Sequence, residues 1–520
     1  MMRQPLRNKR PQQNEISSST TMAAPIGGWN TRDPLANMQA KYAIQLDNWL
    51  PDAGTLAVRP GAVNWVTAVP AIAKTLLPWN GPTSSKLFAA TNSGIYEVTS
   101  TGVAGASVLA RTQGYHNYVN FTTTGGQFVV LVNGTDDLAY YNGTVWSTVV
   151  SFTVSGGGTL LGNAISNISS FKRSLYFIKK NSMSFFYLPI DSITGTVSEF
   201  PLGGLFSKGG KLVASATWTI DGGVGMDDFS VFISDKGQMA IYQGTDPSSA
   251  TTWALKGMYD VAPPLGEKCF CRFGGDLLVL TNRGLFSMTQ ILRDTKAVES
   301  SALSDAIGEA FTQAALALPN AKGWEVIEHP EWNVLVCNIP LTEHTFSNQY
   351  VMNTKTKAWC RFKGWDGFTF ALSAGKLYMG MANKVAQVFK PGNDFDASIT
   401  CEAKGAFNYY SPRSRIKSWR MVRPNLTITG TAAVNVALDT DFGDDAQYGA
   451  AVFSIGSISR WDVPKWNEGE WSTLPVPRVE WLTVAAPDSY CAAIRLRAIA
   501  RDATITWSAS DTLYEVGALV

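Results

Sequence analysis

The feature of this sequence that most restricts its fold is a strand–turn–strand segment that recurs through the middle of the chain. Each time, an apolar stretch runs into a short turn rich in Asn, Asp and Gly, and a second apolar stretch follows. Gly and Asn supply the positive φ angles that tight β-hairpins require. Seven such segments begin at Leu87, Phe128, Leu175, Phe229, Leu277, Val334 and Leu377.

The spacing of these hairpins indicates a propeller. Successive hairpins begin about 41 to 57 residues apart, and a step of roughly 40 to 50 residues is typical of one four-stranded blade. Closing the blades into a ring also removes exposed strand edges. We therefore predict an all-β protein in which residues 62–395 form a β-propeller of six or seven blades. A β-sandwich or a β-solenoid array is the alternative.

The composition agrees with a β-rich protein that has large apolar contacts. Only 16% of the 520 residues are charged, and 17 are Trp. Wide aromatic side chains suit pleated surfaces and large interfaces. The net charge of +2 argues against a protein that wraps nucleic acid by bulk attraction, since such binding needs clustered positive charge.

Two regions depart from the repeat. A helical pattern near residues 303–318 places Leu303, Ile307, Phe311 and further apolar residues on one face, which predicts a helix inserted between blades. Residues 396–520 form short alternating strands again, with Ile494 and Leu496 on one inner face. We predict a C-terminal β-sandwich domain there.

The first residues are polar and basic. Residues 1–22 contain no apolar core of the kind found in a secretory signal, and we expect them to form a disordered basic arm. No apolar run in the sequence is long enough to span a membrane.

A structured N-terminal element is predicted for residues 23–61. Asp33 and Pro34 have the order of a helix start, and Arg32 and Arg59 are candidates to pair with Asp33 and Asp47. In a closed propeller, the strand Thr55–Val58 could complete the last blade. The residues to which we assign a structural or assembly role are Gly27, Gly28, Asn30, Arg32, Asp33, Pro34, Asp47, Asn48, Arg59, Pro60 and Gly61.

The two motifs in this element, GGWNTRDPL and LDNWLPDAGTLAVRPG, resemble the N-terminal signature of tail proteins from short-tailed bacteriophages. These proteins are called nozzle, tail tubular, head-to-tail adaptor or packaged-DNA stabilisation proteins. The resemblance covers Gly27–Gly61, and beyond it only the architecture is similar. It implies a structural protein of the virion tail, made in the bacterial cytoplasm, that forms a hexameric ring. The implied partners are portal and adaptor rings, tail fibres or spikes, and packaged DNA that passes through the channel without sequence specificity.

The densest basic run lies at the entry to the C-terminal region, with aromatic residues interleaved. It is a candidate interface with an acidic partner ring or a belt that faces DNA phosphates, and a solvated strand face is the simpler interpretation. Its members are Lys404, Arg413, Arg415, Lys417, Arg420 and Arg423.

No pattern in the sequence indicates catalysis, and we expect no enzyme activity, cofactor, metal or small-molecule substrate. The six Cys form no Cys-x-x-Cys pair and the three His are far apart in sequence, so reduced core cysteines are expected. Asp439, Asp441, Asp444 and Asp445 have a spacing that could bind Ca²⁺, but the downstream Glu is missing. The alternative function is a glycan-binding or glycan-cleaving propeller, which would require a well-placed acid pair.

Overall fold

The computed structural model describes residues 17–221, 226–293, 302–390, 392–444, 447–449 and 476–517 of the chain. Nearly all secondary structure in these residues is β-strand, which confirms the predicted class. No helix among them is both long and apolar enough to cross a membrane.

Five short strands precede the propeller: β1 (Ser17–Ala23), β2 (Gly28–Trp29), β3 (Tyr42–Asp47), β4 (Trp49–Asp52) and β5 (Thr55–Val58). β1 pairs with the last strand of the chain, with Ser17 opposite Glu515. The expected disordered arm is therefore wrong from Ser17 to Met22, and residues 1–16 lie outside the described residues. The polar sequence of β1 is compatible with an edge strand, because its backbone needs a partner on one side only.

The first four blades follow in chain order, after a strand β6 (Gly61–Ile72) that belongs to the last blade. Blades 1 and 2 contain β7 (Thr75–Asn80), β8 (Ser85–Thr91), β9 (Gly94–Glu97), β11 (Ser107–Leu109), β12 (Asn117–Thr123), β13 (Gly126–Val132), β14 (Leu138–Tyr141) and β15 (Trp146–Val149). The short strand β10 (Gly102–Val103) lies between β9 and β11 in the sequence but pairs with β6 in the last blade. Blades 3 and 4 contain β16 (Ser151–Val154), β17 (Thr159–Leu161), β18 (Ile165–Phe171), β19 (Ser174–Lys179), β20 (Ser184–Tyr187), β21 (Thr196–Pro201), β22 (Leu212–Asp221), β23 (Met226–Ser234), β24 (Gln238–Gly244) and β25 (Trp253–Asp260).

Blades 5, 6 and 7 complete the propeller. They contain β26 (Phe270–Phe273), β27 (Asp276–Thr281) and β28 (Gly284–Ser287) in blade 5, β29 (Glu325–His329), β30 (Val334–Thr342), β31 (Phe346–Asn353) and β32 (Trp359–Phe362) in blade 6, and β33 (Thr369–Ser373) and β34 (Lys376–Lys390) in blade 7. Two helices, α1 (Met288–Arg293) and α2 (Gly308–Ala317), lie between blades 5 and 6.

The innermost strands close into a ring. β7, β12, β18, β22, β26, β29 and β33 each pack against the next, and β33 returns to β7. Six blades are separate sheets, whereas blade 6 is the end of a larger sheet. Each of the seven predicted segments lies in a different blade of the described chain, and six of them form the expected hairpin, which confirms the propeller.

Blade 7 joins the two ends of the propeller. β34 pairs with β6, so a strand from before blade 1 completes the last blade. The closing strand is Gly61–Ile72 and not the expected Thr55–Val58, which pairs with β4 and with the C-terminal sheet. The hairpin predicted after Leu377 is also wrong: β34 runs on through Asn383 (φ 58°) because β6 supplies the neighbouring strand.

The C-terminal β-domain is hydrogen-bonded into the same large sheet as blade 6. Its strands are β35 (Ile399–Gly405), β36 (Lys417–Thr440), β37 (Val476–Arg478), β38 (Leu482–Thr483) and β39 (Ala492–Val516). β36 and β39 pair along their length and bend at Gly430 and Asp502, both at positive φ. The expected sandwich strands thus form one bent sheet, with Leu496 and Ile505 in its core.

The helix predictions are half right. The inserted helix near 303–318 exists as α2, which begins later than expected, and Phe311 is fully buried as predicted. Ser304 precedes the short 3-10 turn Asp305–Ile307, which leads into α2, and makes no side-chain cap there; its hydroxyl accepts the Leu285 N–H instead. No helix begins at Asp33 and Pro34, because the chain there makes only a turn in which the Asn37 N–H bonds the Pro34 carbonyl.

Candidate functional site

The N-terminal element lies inside the junction between the propeller and the C-terminal sheet. β3 is inserted between β32 of blade 6 and β35, with Asp47 opposite Arg361 on one side and Leu46 opposite Ala403 on the other. We call the polar residues of this connection the junction cluster: Asp47, Asn48, Arg59, Arg361, Lys363 and Asp394.

Arg59 is the centre of the junction cluster. Its Nε donates to Asn48 Oδ1 (2.8 Å), its Nη1 to the Pro60 carbonyl and to Asp394 Oδ1 (2.9 and 3.0 Å), and its Nη2 to the Lys363 carbonyl (2.8 Å) and to Asp394 Oδ2. The five donors of the guanidinium therefore all have acceptors. The partner expected from the sequence, Asp33 or Asp47, is wrong, because Asp394 occupies the carboxylate position from 335 residues away.

Arg59 is also buried against aromatic rings. Its side chain is only 1% exposed, and its guanidinium lies 4.6 Å from the centre of the Trp365 ring and 5.5 Å from that of Phe362. A charge buried this deeply is tolerated only when its partners are complete. Arg59 therefore fixes the mutual position of the elements it contacts.

Asp47 makes the second link of the cluster. Its carboxylate accepts from Arg361 at 2.6 and 3.0 Å, from Lys363 at 2.8 Å and from Gln45 at 2.7 Å. Burial acts to raise the pKa of Asp47, but the bonds and charge of Arg361 and the bond from Lys363 outweigh burial and lower it. Asp47 thus remains ionised and ties β3 to β32.

Asn48 connects three elements. It adopts a left-handed conformation (φ 60°), as its turn-forming residue type predicted. Its Oδ1 accepts from Arg59 and from the Lys363 N–H, and its Nδ2 donates to the Thr400 carbonyl at 2.8 Å. One amide therefore joins the N-terminal element, blade 6 and β35.

The motif GGWNTRDPL lies beside the junction cluster and forms its outer edge. Asn30 Oδ1 accepts the N–H groups of Arg32 (2.9 Å) and Asp33 (3.0 Å), and Arg32 Nε donates to Asp33 at 2.8 Å, as expected. Arg32 also pairs with Asp305, just before α2. The bond from Arg32 lowers the pKa of Asp33, and the bonds to Asp33 and Asp305 raise the pKa of Arg32.

Glycines in both motifs allow close backbone contacts. A Cβ on Gly61 would lie 1.8 Å from the Asn393 carbonyl oxygen, and one on Gly28 would lie 2.6 Å from that of Trp359. A Cβ on Gly27 would lie 2.7 Å from the Lys41 carbonyl oxygen. The glycines therefore permit the chain to pass directly over blade 6 and the junction.

The basic run does not form one free positive surface. Lys404 is buried and pairs with Asp439 (3.0 Å) and Asp444 (3.1 Å), and Lys417 is buried with its ammonium on two backbone carbonyls. The other paired members are Arg420 with Glu515 and Arg423 with Asp511. Arg413, over the Tyr409 ring, and Arg415 are exposed.

The acidic turn is likewise engaged by cations. Asp439 and Asp444 lie against Lys404 and Arg495, and Asp441 accepts the N–H groups of Tyr490 and Cys491. Asp445 lies outside the described residues. No group of three or more potential metal ligands is present in the part of the chain that the structure describes.

The cysteines behave as core residues. All six are buried and free, as predicted. Burial raises the pKa of Cys269 and of Cys271 to about 12. Thiols with such pKa values are poorly reactive.

The propeller encloses a central cavity of about 310 Å³. Glu325 accepts from Lys268 Nζ (3.1 Å) and Thr369 Oγ1 (3.1 Å), and Glu267 accepts from Asn117 at 3.1 Å. Both carboxylates thus already have close partners within the described residues.

Beside this cavity lies a larger one of about 690 Å³, the mouth cavity, and Glu267 lines both. Connections between blades and turns between second and third strands line it. The sequence analysis missed this site, because its residues come from separate turns. The signal in the sequence is a lysine in or beside many of these turns: Lys74, Lys180, Lys211, Lys236 and Lys322.

Comparisons with known proteins add only weak likenesses. No family model and no curated protein matches the chain. Among solved structures, the chain is similar to BBS1N in complex with ARL6DN (9% identity, TM-score 0.38, 64% of this chain and 97% of that one). It is also similar to the Neurospora crassa Pan2 WD40 domain (9%, 0.36, 65% and 95%) and to a putative 6-phosphogluconolactonase from Bacteroides fragilis (11%, 0.35, 67% and 91%).

Proposed function

We propose that this protein is a structural component of a phage tail, a nozzle whose ring extends the portal channel, retains packaged DNA and conducts it at ejection. The observation that carries the proposal is the N-terminal signature together with its position. Residues of the signature supply three of the six members of the junction cluster, Asp47, Asn48 and Arg59, and also the contacts of Asn30, Arg32 and Asp33 beside it.

The mechanical demands of such a role favour this construction. A subunit that holds pressurised DNA must transmit force between its domains without opening. Here blade 6, β3 and the C-terminal strands share one sheet, and Arg59 and Asp47 add buried ion pairs across the same connection. Sliding one domain over the other would break ladder hydrogen bonds and buried charge pairs together.

The charge distribution suits passage of DNA rather than capture. The net charge is +2, and four members of the basic run already have acceptors within the chain. Few phosphate contacts would mean weak, salt-insensitive attraction to DNA. The proposed partners are further copies of this chain in a hexameric ring, portal and adaptor rings, and tail fibres or spikes; the proposed location is the virion tail.

The test is the mass of the purified protein, with particle images of the same sample, alone and mixed with candidate adaptor rings. We expect a six-fold ring with a central hole, at six times the 56.3 kDa of one chain. A protein that stays monomeric or trimeric under both conditions and binds host polysaccharide would overturn the proposal in favour of a glycan-binding propeller.

A further inference from the structure

The mouth cavity combines a large volume with an excess of positive charge. Its volume of about 690 Å³ falls within the range of small-molecule sites, roughly 300–1,000 Å³. Five lysines line it, against three carboxylates, Asp235, Glu267 and Glu343. The lysines come from five different connections of the propeller, so the ring itself brings their charges together.

Lys74 is the buried member of this group. Its side chain lies against the Tyr115 ring, with Nζ 5.3 Å from the ring centre, and the residue is only 7% exposed. No carboxylate of the described residues lies within 4.0 Å of its ammonium. Glu343 is the acid whose charge acts on the Lys74 ammonium. Its carboxylate, however, contacts the His344 ring and the backbone N–H of Lys322. Burial lowers the pKa of Lys74, although Glu343 opposes this.

Three further lysines have no carboxylate partner among the described residues. Lys180 donates to the Gly134 carbonyl (3.1 Å) and Lys211 to Asn181 Oδ1 (3.2 Å), which are neutral acceptors. Lys236 is exposed at the rim. Lys322 differs, because it pairs with Glu267 at 3.3 Å. Four lysines thus line one concave space, and none of the four is ion-paired with a carboxylate in the part of the chain that the structure describes.

We propose that the mouth cavity binds a small, multiply charged anion of the phosphate class, with Lys74 as its buried contact and Lys180, Lys211 and Lys236 around it. A single carboxylate would balance only one of these charges, whereas a chain of phosphates can contact several. Lysine serves phosphate as a point charge without the fixed planar fork that carboxylate pairing favours. The side-chain amide of Asn282 also lines the cavity, whereas that of Asn133 is already bonded to Gln113, His116 and Asp136.

This inference is independent of the ring proposed above, because the site lies within one subunit. It requires only the closed propeller, which brings residues from blades 1 to 6 to the same face.

The test is isothermal titration of the full chain with inorganic tripolyphosphate and pyrophosphate at constant ionic strength. We expect saturable binding with one site per chain. Lys74→Met and Lys180→Met should each weaken binding by about tenfold to a hundredfold, the scale of one lost charge-assisted hydrogen bond. The matched control is Lys179→Met: Lys179 is exposed beside Lys180 but does not line the cavity.

Thermal unfolding of each variant without ligand establishes that it is folded, and Lys236→Met replaces Lys74→Met if the latter fails. Absence of saturable binding by the wild type would overturn the proposal. So would equal weakening by Lys179→Met and Lys180→Met, since that would indicate diffuse attraction rather than a site.

Discussion

The junction cluster and the mouth cavity both contain several charged side chains, but they differ in whether the buried charge has an ion-pair partner. At the junction, Arg59 has five acceptors, two of which are the carboxylate oxygens of Asp394, and Asp47 has two cationic partners. At the mouth, Lys74 is nearly as buried and lies against the Tyr115 ring, but no carboxylate of the described residues is within ion-pair distance of it.

The difference separates two uses of buried charge. A buried charge whose partners belong to the same chain stabilises the fold only while all of those partners remain. Such a charge needs no ligand. A charge without such a partner lowers the stability of the isolated protein, so its benefit must arise from something that binds. The sign of a neutralising substitution should therefore differ between the two regions.

The largest expected effect is at Arg59. Arg59→Met leaves Asp394 and Asn48 without their main donor, and we expect the free energy of unfolding to fall by about 3–5 kcal/mol, the usual cost of removing one partner of a buried ion pair. Equilibrium urea denaturation followed by Trp fluorescence measures it. The exposed Arg415→Met is the control and should change stability by less than about 0.5 kcal/mol; equal midpoints for the two variants would contradict the role of the cluster.

A smaller, pH-dependent effect is expected at Asp47. Its pKa in the folded protein lies below the ordinary 3.8, so the unfolded chain binds the proton more readily. The stability that Asp47 contributes is therefore fully present above about pH 3.8, the ordinary pKa of the unfolded chain. It is lost as the pH falls through the lower pKa of the folded protein. Asp47→Asn should cost about 1–3 kcal/mol at neutral pH, and the difference from wild type should shrink in urea titrations below pH ~4.

The control for this series is Asp52→Asn, because Asp52 is exposed and, among the described residues, its carboxylate accepts only the neighbouring Ala53 N–H. A gap between wild type and Asp47→Asn that stays constant down to the acid transition would show that Asp47 acts through shape and not through its charge.

The smallest effect, and one of opposite sign, is expected at Lys74. Without ligand, Lys74→Met removes a poorly solvated charge and should leave the urea midpoint unchanged or raise stability by up to about 1 kcal/mol. Lys179→Met again serves as the control. A loss as large as that of Arg59→Met would mean that Lys74 supports the fold, and the contrast between the two regions would disappear.

Local signals in the sequence predicted the repeat well. Asn and Gly mark the turns between second and third strands, and those turns depend on only a few adjacent residues. For the same reason, Arg59, Asp47 and Asn48 could be recognised as structural residues before their contacts were known. The hairpin after Leu377 failed because the strand beside β34 comes from Gly61–Ile72, which no local pattern reveals.

The pairings were harder to predict than the residues. Asp394 and Arg361 lie more than three hundred positions from their partners, at 335 and 314 residues, so sequence proximity favoured the wrong acid for Arg59. Asp33 and Pro34 have the order of a helix start, yet Asp33 is held by Asn30 and Arg32 in a turn. The lysines of the mouth cavity are spread across separate turns, and only the closed ring assembles them.

The closure of blade 7 also has a consequence during synthesis. Gly61–Ile72 leaves the ribosome early, but its partner strand Lys376–Lys390 is synthesised some three hundred residues later. The partner of β1, Ala492–Val516, is synthesised later still. Until then the nascent chain carries unpaired strand edges, which are sites for mispairing and for proteases. A chain that stops before Lys376 can complete neither closure, and one that stops before Ala492 still leaves β1 without its partner strand.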